Sequence, residues 1–130
     1  MSEPIFDHEK LDVYKKAVDF VKQIDLLKKE VDQRGNLFDQ LERASASIVL
    51  NIAEGNGKYS QKDKCRFFDI ARVSVFECSG CLDVLFARSV IEEKKCIELK
   101  FLLKSIVSML MGLIKSQSNR VYEEEIDYSS

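Results

Sequence analysis

The sequence predicts an all-α protein that folds as an antiparallel up-down-up-down four-helix bundle. Apolar residues recur at steps of three and four along nearly the whole chain, and no segment keeps the alternation with period two that a β-strand shows. The 130 residues include one proline and five glycines, which favours long uninterrupted helices. Three short connections between such helices place neighbours antiparallel. We expect a single domain over residues 1–120, followed by an acidic tail, residues 121–130, that frays.

The first helix is expected at about Asp7–Val31. Asp7 has the short polar side chain of an N-cap, and Gly35 supplies the positive φ with which the chain turns after the helix. The apolar positions of this helix are Val13, Ala17, Phe20, Ile24, Leu27 and Val31.

The second helix is expected from about Leu37 to Glu54. Asn36 can cap its start while Asp39, three residues on, reaches back to the backbone. We expect the helix to stop at residues 55–57, because two glycines there tolerate the left-handed conformation that ends helices. Its apolar stripe consists of Leu37, Leu41, Ala44, Ile48 and Ile52.

The third helix is expected to begin at Ser60, which together with Asp63 forms a pattern similar to a capping box. This helix has two apolar stripes, which suits contact with several neighbours rather than with one coiled-coil partner. The inner stripe is Phe68, Ala71, Val75, Cys78, Leu82 and Leu85, and the second is Phe67, Ile70, Ser74, Cys81 and Val84.

A charged segment, residues 91–95, marks the turn into the fourth helix, which is expected at about Glu93–Asn119. The third and fourth helices, of roughly 28 residues each, would be roughly 40 Å long at 1.5 Å per residue. The second helix is shorter, so part of the apolar surface of the long helices stays uncovered by their own chain. We therefore expect the protein to form oligomers.

The charge balance argues against a dedicated nucleic-acid binder. The chain has 20 basic and 22 acidic residues. Four acids and no base follow Arg120, so the body carries 20 bases against 18 acids, far from the basic excess of such binders. Residues 1–16 lack the apolar core of a signal peptide, and the longest apolar stretch, Ile106–Ile114, is about half of what a bilayer requires. We expect a cytoplasmic protein that does not bind membranes.

Cys78 and Cys81 form a C-x-x-C pair, which can indicate zinc or redox chemistry. Both lie within a helical pattern, and a zinc site needs two further ligands. Cys65 precedes Cys78 by thirteen residues and so points about 220° away around the same helix, and Cys96 follows the next turn. We expect four small core residues, with no metal and no cofactor.

No set of residues in the sequence requires a reaction. His8, the single histidine, is expected in solvent near the start of the first helix, and no carboxylate pair or Ser/His/Asp set is present. Gly55-x-Gly57 follows a helix, whereas a dinucleotide fingerprint follows a strand. We expect that the protein is not an enzyme and has no catalytic residues, although a mechanism without histidine stays open.

The segment Gln40–Gly55, QLERASASIVLNIAEG, is the most informative part of the chain. Its core, Ser47-Ile48-x-x-Asn51-Ile52-Ala53-Glu54-Gly55, resembles the signature of the 23S ribosomal RNA intervening-sequence protein family. That family contains small bacterial four-helix bundles, among them the accessory variability proteins of diversity-generating retroelements. The segments Leu11–Ala17 and Arg66–Glu77 extend the resemblance, which covers about Phe6–Leu113.

The resemblance implies an antiparallel four-helix bundle that assembles as a barrel-shaped pentamer. The retroelement members are basic and bind a reverse transcriptase and nucleic acid. Genes of other members lie within intervening sequences of large-subunit ribosomal RNA, and their biochemical role is unsettled. The implied partners are further copies of the chain and either RNA or a protein such as a reverse transcriptase. This chain departs from the retroelement type in being weakly acidic.

The polar residues of the signature have two interpretations. Asn51 and Glu54 are three residues apart and therefore neighbours on the helix surface. With Ser47 and Gly55 they form either a contact for a partner or a structural site in which Asn51 and Glu54 hydrogen-bond an adjacent segment such as residues 56–60. Buried polar groups of this kind specify a packing arrangement more readily than they catalyse, so the structural interpretation is favoured.

A basic run at the start of the third helix is the candidate nucleic-acid or anion contact. It lies at a loop-to-helix junction, where backbone N–H groups attract anions, and repetition around a ring of subunits would enlarge the positive zone. The alternative is an ordinary solvated helix face. The residues are Lys58, Lys62, Lys64, Arg66 and Arg72.

Two functions follow from these observations. The first is a non-enzymatic assembly module that forms a cyclic homo-oligomer and binds a protein or RNA partner. The second is a nucleic-acid-binding accessory protein like the retroelement members. The body charge of about +2, from 20 bases minus 18 acids, favours the first.

Overall fold

The structure, a computed structural model, describes residues 3–31 and 36–129, with side chains for residues 3–31 and 37–118. Within these ranges every regular element is helical and no strand is present. A short 3-10 helix is followed by four α-helices: Asp7–Lys10, then α1 (Asp12–Val31), α2 (Asn36–Gly57), α3 (Gln61–Ala87) and α4 (Glu93–Ser129). The predicted all-α fold is confirmed.

The four helices form a four-helix bundle around one hydrophobic core. Each helix packs against the next, and α1 also packs against α4, so that α1 and α3 lie diagonally opposite each other, as do α2 and α4. The apolar stripes predicted for the first three helices supply most of the core, and helix α4 adds further residues such as Leu99 and Ile106. Fully buried members of the predicted stripes include Phe20, Ile24, Leu41, Ile48, Ile52, Phe68 and Leu82.

The first predicted helix is divided, which corrects the sequence-based expectation. Leu11 has an extended backbone, with φ −71° and ψ 129°, and separates the 3-10 helix from α1. Glu9, not Asp7, caps this segment: its carboxylate accepts hydrogen bonds from the backbone N–H groups of Ile5 (3.1 Å) and Phe6 (3.2 Å). These two bonds lower the pKa of Glu9 below its ordinary value, because they stabilise the ionised form.

Helix α2 ends at Gly57, within the segment 55–57 that was predicted to stop it, and so continues three residues beyond the expected end at Glu54. Gly55 is buried within the helix, where a Cβ atom would lie 2.9 Å from two ring carbons of Phe68 and 3.1 Å from the Cβ of Phe67. A glycine is needed there because α2 approaches α3 so closely. The turn predicted at Gly35 and the cap predicted at the Asn36 side chain lie outside the described residues.

The start of α3 agrees with the sequence. The Ser60 hydroxyl oxygen accepts a hydrogen bond from the Asp63 backbone N–H at 3.0 Å, as expected of an N-cap. All six residues of the inner stripe are buried, whereas the second stripe is divided: Ser74 and Cys81 are buried, and Ile70 and Val84 are exposed.

Between α3 and α4, Ser89 adopts a positive φ of 60°, and the apolar Ile91 turns inward to join the core. Helix α4 then extends to Ser129 instead of ending near Asn119 as predicted. Neither glycine nor proline, the two residues with the lowest helix propensity, follows Gly112. None of the described helices combines the length and apolar character needed to cross a bilayer.

Candidate functional site

The signature residues form a directional chain of hydrogen bonds between α2 and α3. The Asn51 amide donates to the Ser47 backbone carbonyl at 2.8 Å and to the Ser47 Oγ at 3.0 Å. The Ser47 and Ser74 hydroxyl oxygens are 2.8 Å apart, and Ser74 donates to the Ile70 carbonyl at 3.0 Å. Because each hydroxyl has a single hydrogen, Ser47 must donate to Ser74. Each of the two hydroxyl hydrogens then has an acceptor within the protein.

This chain of bonds connects α2 with α3 through Ser47 and Ser74. Asn51 bonds back to its own helix, so the expected contact with residues 56–60 was wrong. Glu54 is exposed on the surface of α2 and takes no part in the chain. Ser74 was not among the predicted site residues. From the sequence it could be recognised only as a polar residue within an apolar stripe. Together with Gly55, Ser47 and Ser74 set the distance between the two helices.

Two of the five basic candidates are used within the fold. The Lys64 ammonium donates to the Asn56 backbone carbonyl at 2.7 Å, where the negative end of the α2 dipole favours a cation. The Arg72 guanidinium pairs with Asp69 at 2.8 Å. Arg72 also lies six residues after Arg66, about 240° around α3, so it belongs to a different face.

The structure gathers the other basic candidates around the α2–α3 connection. The Lys58 ammonium lies 4.8 Å and the Arg66 guanidinium 5.4 Å from the centre of the Phe67 ring, both within the range of cation–π contacts. Arg66 also forms an exposed ion pair with Asp63 at 3.6 Å, and Lys62 is exposed nearby. Tyr59 is fully exposed beside this cluster, and the sequence analysis did not single it out.

An apolar groove between α3 and α4, here called the aromatic groove, was not predicted from the sequence. It encloses about 380 Å³. Phe76 and Phe101 are 54% and 65% exposed on its walls. Lys100 lies at its edge and is bonded to Asp83 at 2.7 Å, which raises the pKa of Lys100. The residues that define the groove are Val75, Phe76, Ile97, Phe101 and Val107.

A second apolar surface, here called the aliphatic face, lies between α1 and α2. It has a shallow depression of about 240 Å³, and Leu50 is its most exposed residue at 62%. The other members are half-buried. The residues that define the aliphatic face are Val18, Val21, Ala46, Val49 and Leu50.

The thiols are placed as core residues, with Cys65 half-buried and the other three buried. Burial raises the pKa of Cys78 to about 12 and, with the nearby Glu77 carboxylate, raises that of Cys81. Such thiols stay protonated at neutral pH and are poor nucleophiles and metal ligands. Among the described residues, no group of three His, Cys, Asp or Glu side chains could hold a metal ion.

His8 is half-buried rather than solvated as expected. Its ring stacks on Phe6, with 5.9 Å between the ring centres, and meets the edge of Tyr14 at 4.8 Å. The adjacent Asp7 accepts a hydrogen bond from the Asn56 amide at 3.1 Å, which ties the 3-10 helix to the end of α2. These contacts place His8 in the packing of the N-terminal segment.

Comparison with known proteins agrees with this architecture. A crystal structure of a protein of unknown function from the S23 ribosomal protein family of Bacteroides thetaiotaomicron superposes with a TM-score of 0.74 at 24% sequence identity, covering 79% of this chain and 98% of that one. At this identity the likeness shows the fold alone. A search of curated proteins finds no match. The family model described as 23S rRNA-intervening sequence protein matches residues 9–112. The chain therefore belongs to the 23S rRNA-intervening sequence protein family.

Proposed function

We propose that this protein is a non-enzymatic assembly module: a helical bundle that associates with further copies of itself and presents the assembly to a protein or RNA partner. The observation that carries this proposal is the aromatic groove, in which two phenylalanine rings stand open to solvent on a surface with few polar groups. Exposed apolar patches of this kind on a small domain mark interaction sites.

The exposed apolar area of the groove can be compared with the apolar area that a protein–protein interface buries. At roughly 200 Å² per phenylalanine, Phe76 (54% exposed) and Phe101 (65% exposed) together present about 240 Å². Ile97, which also lines the groove and is 46% exposed, brings the apolar surface to the order of 300 Å², at the lower end of the roughly 300–600 Å² of patches that are often functional. A standard interface buries roughly 800 Å² per partner, of which somewhat more than half is apolar.

A pentamer is the assembly that the resemblance to the family implies, and we adopt that number for the proposal. The absence of an enzymatic role is supported by the state of the reactive side chains: the buried thiols are held protonated, and His8 packs between two rings.

Light scattering during gel filtration at micromolar concentration tests the proposal. We expect a mass of about five times the 15.0 kDa of one chain, and a fall to one chain for Phe101→Glu, because the substitution places a charge within the apolar groove. A parent protein that elutes with the mass of one chain would refute the proposal.

Nucleic-acid binding is the second candidate, and the cluster at the α2–α3 connection supports it. Lys58 and Arg66 hold positive charge beside Phe67, and the ring of the adjacent Tyr59 is fully exposed. Cations next to an exposed aromatic ring suit single-stranded nucleic acid, whose bases stack and whose phosphates pair with the cations. Binding of this kind has little sequence preference and weakens steeply with salt.

A titration of labelled single-stranded RNA at low salt, followed by fluorescence anisotropy, tests this second candidate. Tyr59→Ala and the double variant Lys58→Glu with Arg66→Glu should each weaken binding at least tenfold. Lys22→Glu with Lys94→Glu makes the same change of charge at exposed sites away from the cluster and should weaken it less. If both double variants weaken binding equally, the cluster is not the contact.

A further inference from the structure

Among the residues whose side chains the structure describes, the aromatic groove and the aliphatic face are unpartnered apolar surfaces on different helix pairs. The aromatic groove opens between α3 and α4, and the aliphatic face lies between α1 and α2. The two pairs pack on each other through α2 with α3 and α1 with α4. The surfaces therefore point away from each other on opposite sides of the bundle, and one subunit cannot cover one with the other.

The two surfaces also differ in shape. The aromatic groove is a concave space of about 380 Å³ between ring-bearing walls. The aliphatic face carries one exposed side chain, Leu50, beside half-buried valines and an alanine. Branched aliphatic side chains on one surface and open aromatic walls on the other can interdigitate as the layers of a protein core do. The aliphatic face has none of the polar groups that a small-molecule site places within its apolar lining, whereas Ser79, Lys100 and Lys104 also line the groove.

Covering both surfaces would bury little uncompensated charge. The lining of the aliphatic face is wholly apolar. At the groove, the Lys100 ammonium is already paired with the Asp83 carboxylate at 2.7 Å, and Lys104 is exposed at the edge, where a flexible side chain can keep its charge in water. An apolar area on the order of 300 Å² on the groove side is about two thirds of the apolar part of a standard interface, so the groove is large enough to take part in a contact between two proteins.

We infer that the occupant of the aromatic groove is a second copy of this chain, bound through its aliphatic face with Leu50 at the centre of the contact. This inference rests on the proposed assembly and specifies its geometry. A contact between two different surfaces is heterologous, so each subunit still offers one groove and one aliphatic face, and the arrangement continues until it closes into a ring. A symmetric contact of groove with groove would stop at two subunits and leave the aliphatic face exposed.

Complementation between two variants tests the geometry. Phe101→Glu disrupts only the groove, and Leu50→Glu disrupts only the aliphatic face. Each variant alone should elute with the mass of one chain, 15.0 kDa. An equimolar mixture should form a species of twice that mass and nothing larger, because the intact groove of one variant binds the intact face of the other and both remaining surfaces are disabled.

Leu26→Glu is the matched control, because Leu26 is 63% exposed, against 62% for Leu50, and lies in neither surface. It should assemble as the parent does. Circular dichroism checks that each variant keeps its helicity, and Phe101→Ala with Leu50→Ala repeats the experiment with milder changes. An oligomeric parent whose Leu50→Glu variant still assembles, or a mixture that stays at the mass of one chain, would overturn the inference alone. A monomeric parent would overturn the proposed function as well.

Discussion

Replacing Gly55 by alanine tests a close approach between α2 and α3. A Cβ atom at this position would lie 2.9 Å from two ring carbons of Phe68 and 3.1 Å from the Cβ of Phe67. The Phe68 ring is 1% exposed and cannot swing into solvent, so the helices must move apart. Overpacking of this kind costs roughly 1–3 kcal/mol. Alanine in place of a glycine within a helix returns roughly 0.5–1 kcal/mol.

Gly80→Ala separates these two contributions. Gly80 lies in the middle of α3, and a Cβ there would meet no atom within 4 Å. The same gain in helix propensity applies at both sites, so we expect Gly80→Ala to stabilise the protein. The difference between the two variants, roughly 1–3 kcal/mol in the free energy of unfolding, then measures the steric cost at Gly55 alone.

Urea denaturation followed by circular dichroism supplies both values, at one protein concentration because assembly adds to apparent stability. Combining Gly55→Ala with Phe68→Leu should recover part of the loss, since residues in contact are not additive. The reasoning is refuted if Gly55→Ala is as stable as Gly80→Ala, because the helices would then have room for a methyl group.

Two further substitutions probe the polar and sulfur-containing parts of the core. Ser74→Ala removes the acceptor of the Ser47 hydroxyl and should lower the free energy of unfolding by roughly 1–2 kcal/mol. The double variant Ser47→Ala with Ser74→Ala should lose less than the sum of the two single changes, because no donor is then left without a partner. Full additivity in urea denaturation would contradict the directional chain. Cys78→Ser places a hydroxyl in a fully buried position and should lower the free energy of unfolding by roughly 1–3 kcal/mol. Elemental analysis should show the same metal content as for the parent. A stability equal to that of the parent would show that water reaches the site.

The sequence carried most of the information about the helices and their core faces. The positions Phe20, Ile48 and Phe68 were identified from the three-and-four spacing, and each is fully buried. Spacing works here because a helix places residues three and four apart on one face whatever packs against it. The Ser60 cap is equally local, since it involves a backbone group only three residues away.

The features that the sequence did not predict depend on how closely the helices pack against each other. A glycine near the end of a helical pattern predicts the end of the helix. At position 55, however, a glycine is required because a phenylalanine ring of α3, from another part of the chain, lies against it. The Ser47–Ser74 bond joins residues 27 positions apart, and Phe76 and Phe101 line a common groove from two helices. Local pattern fixes which face of a helix is apolar; only the packing of four helices decides which apolar residues remain uncovered, because burial is a property of the neighbours and not of the residue.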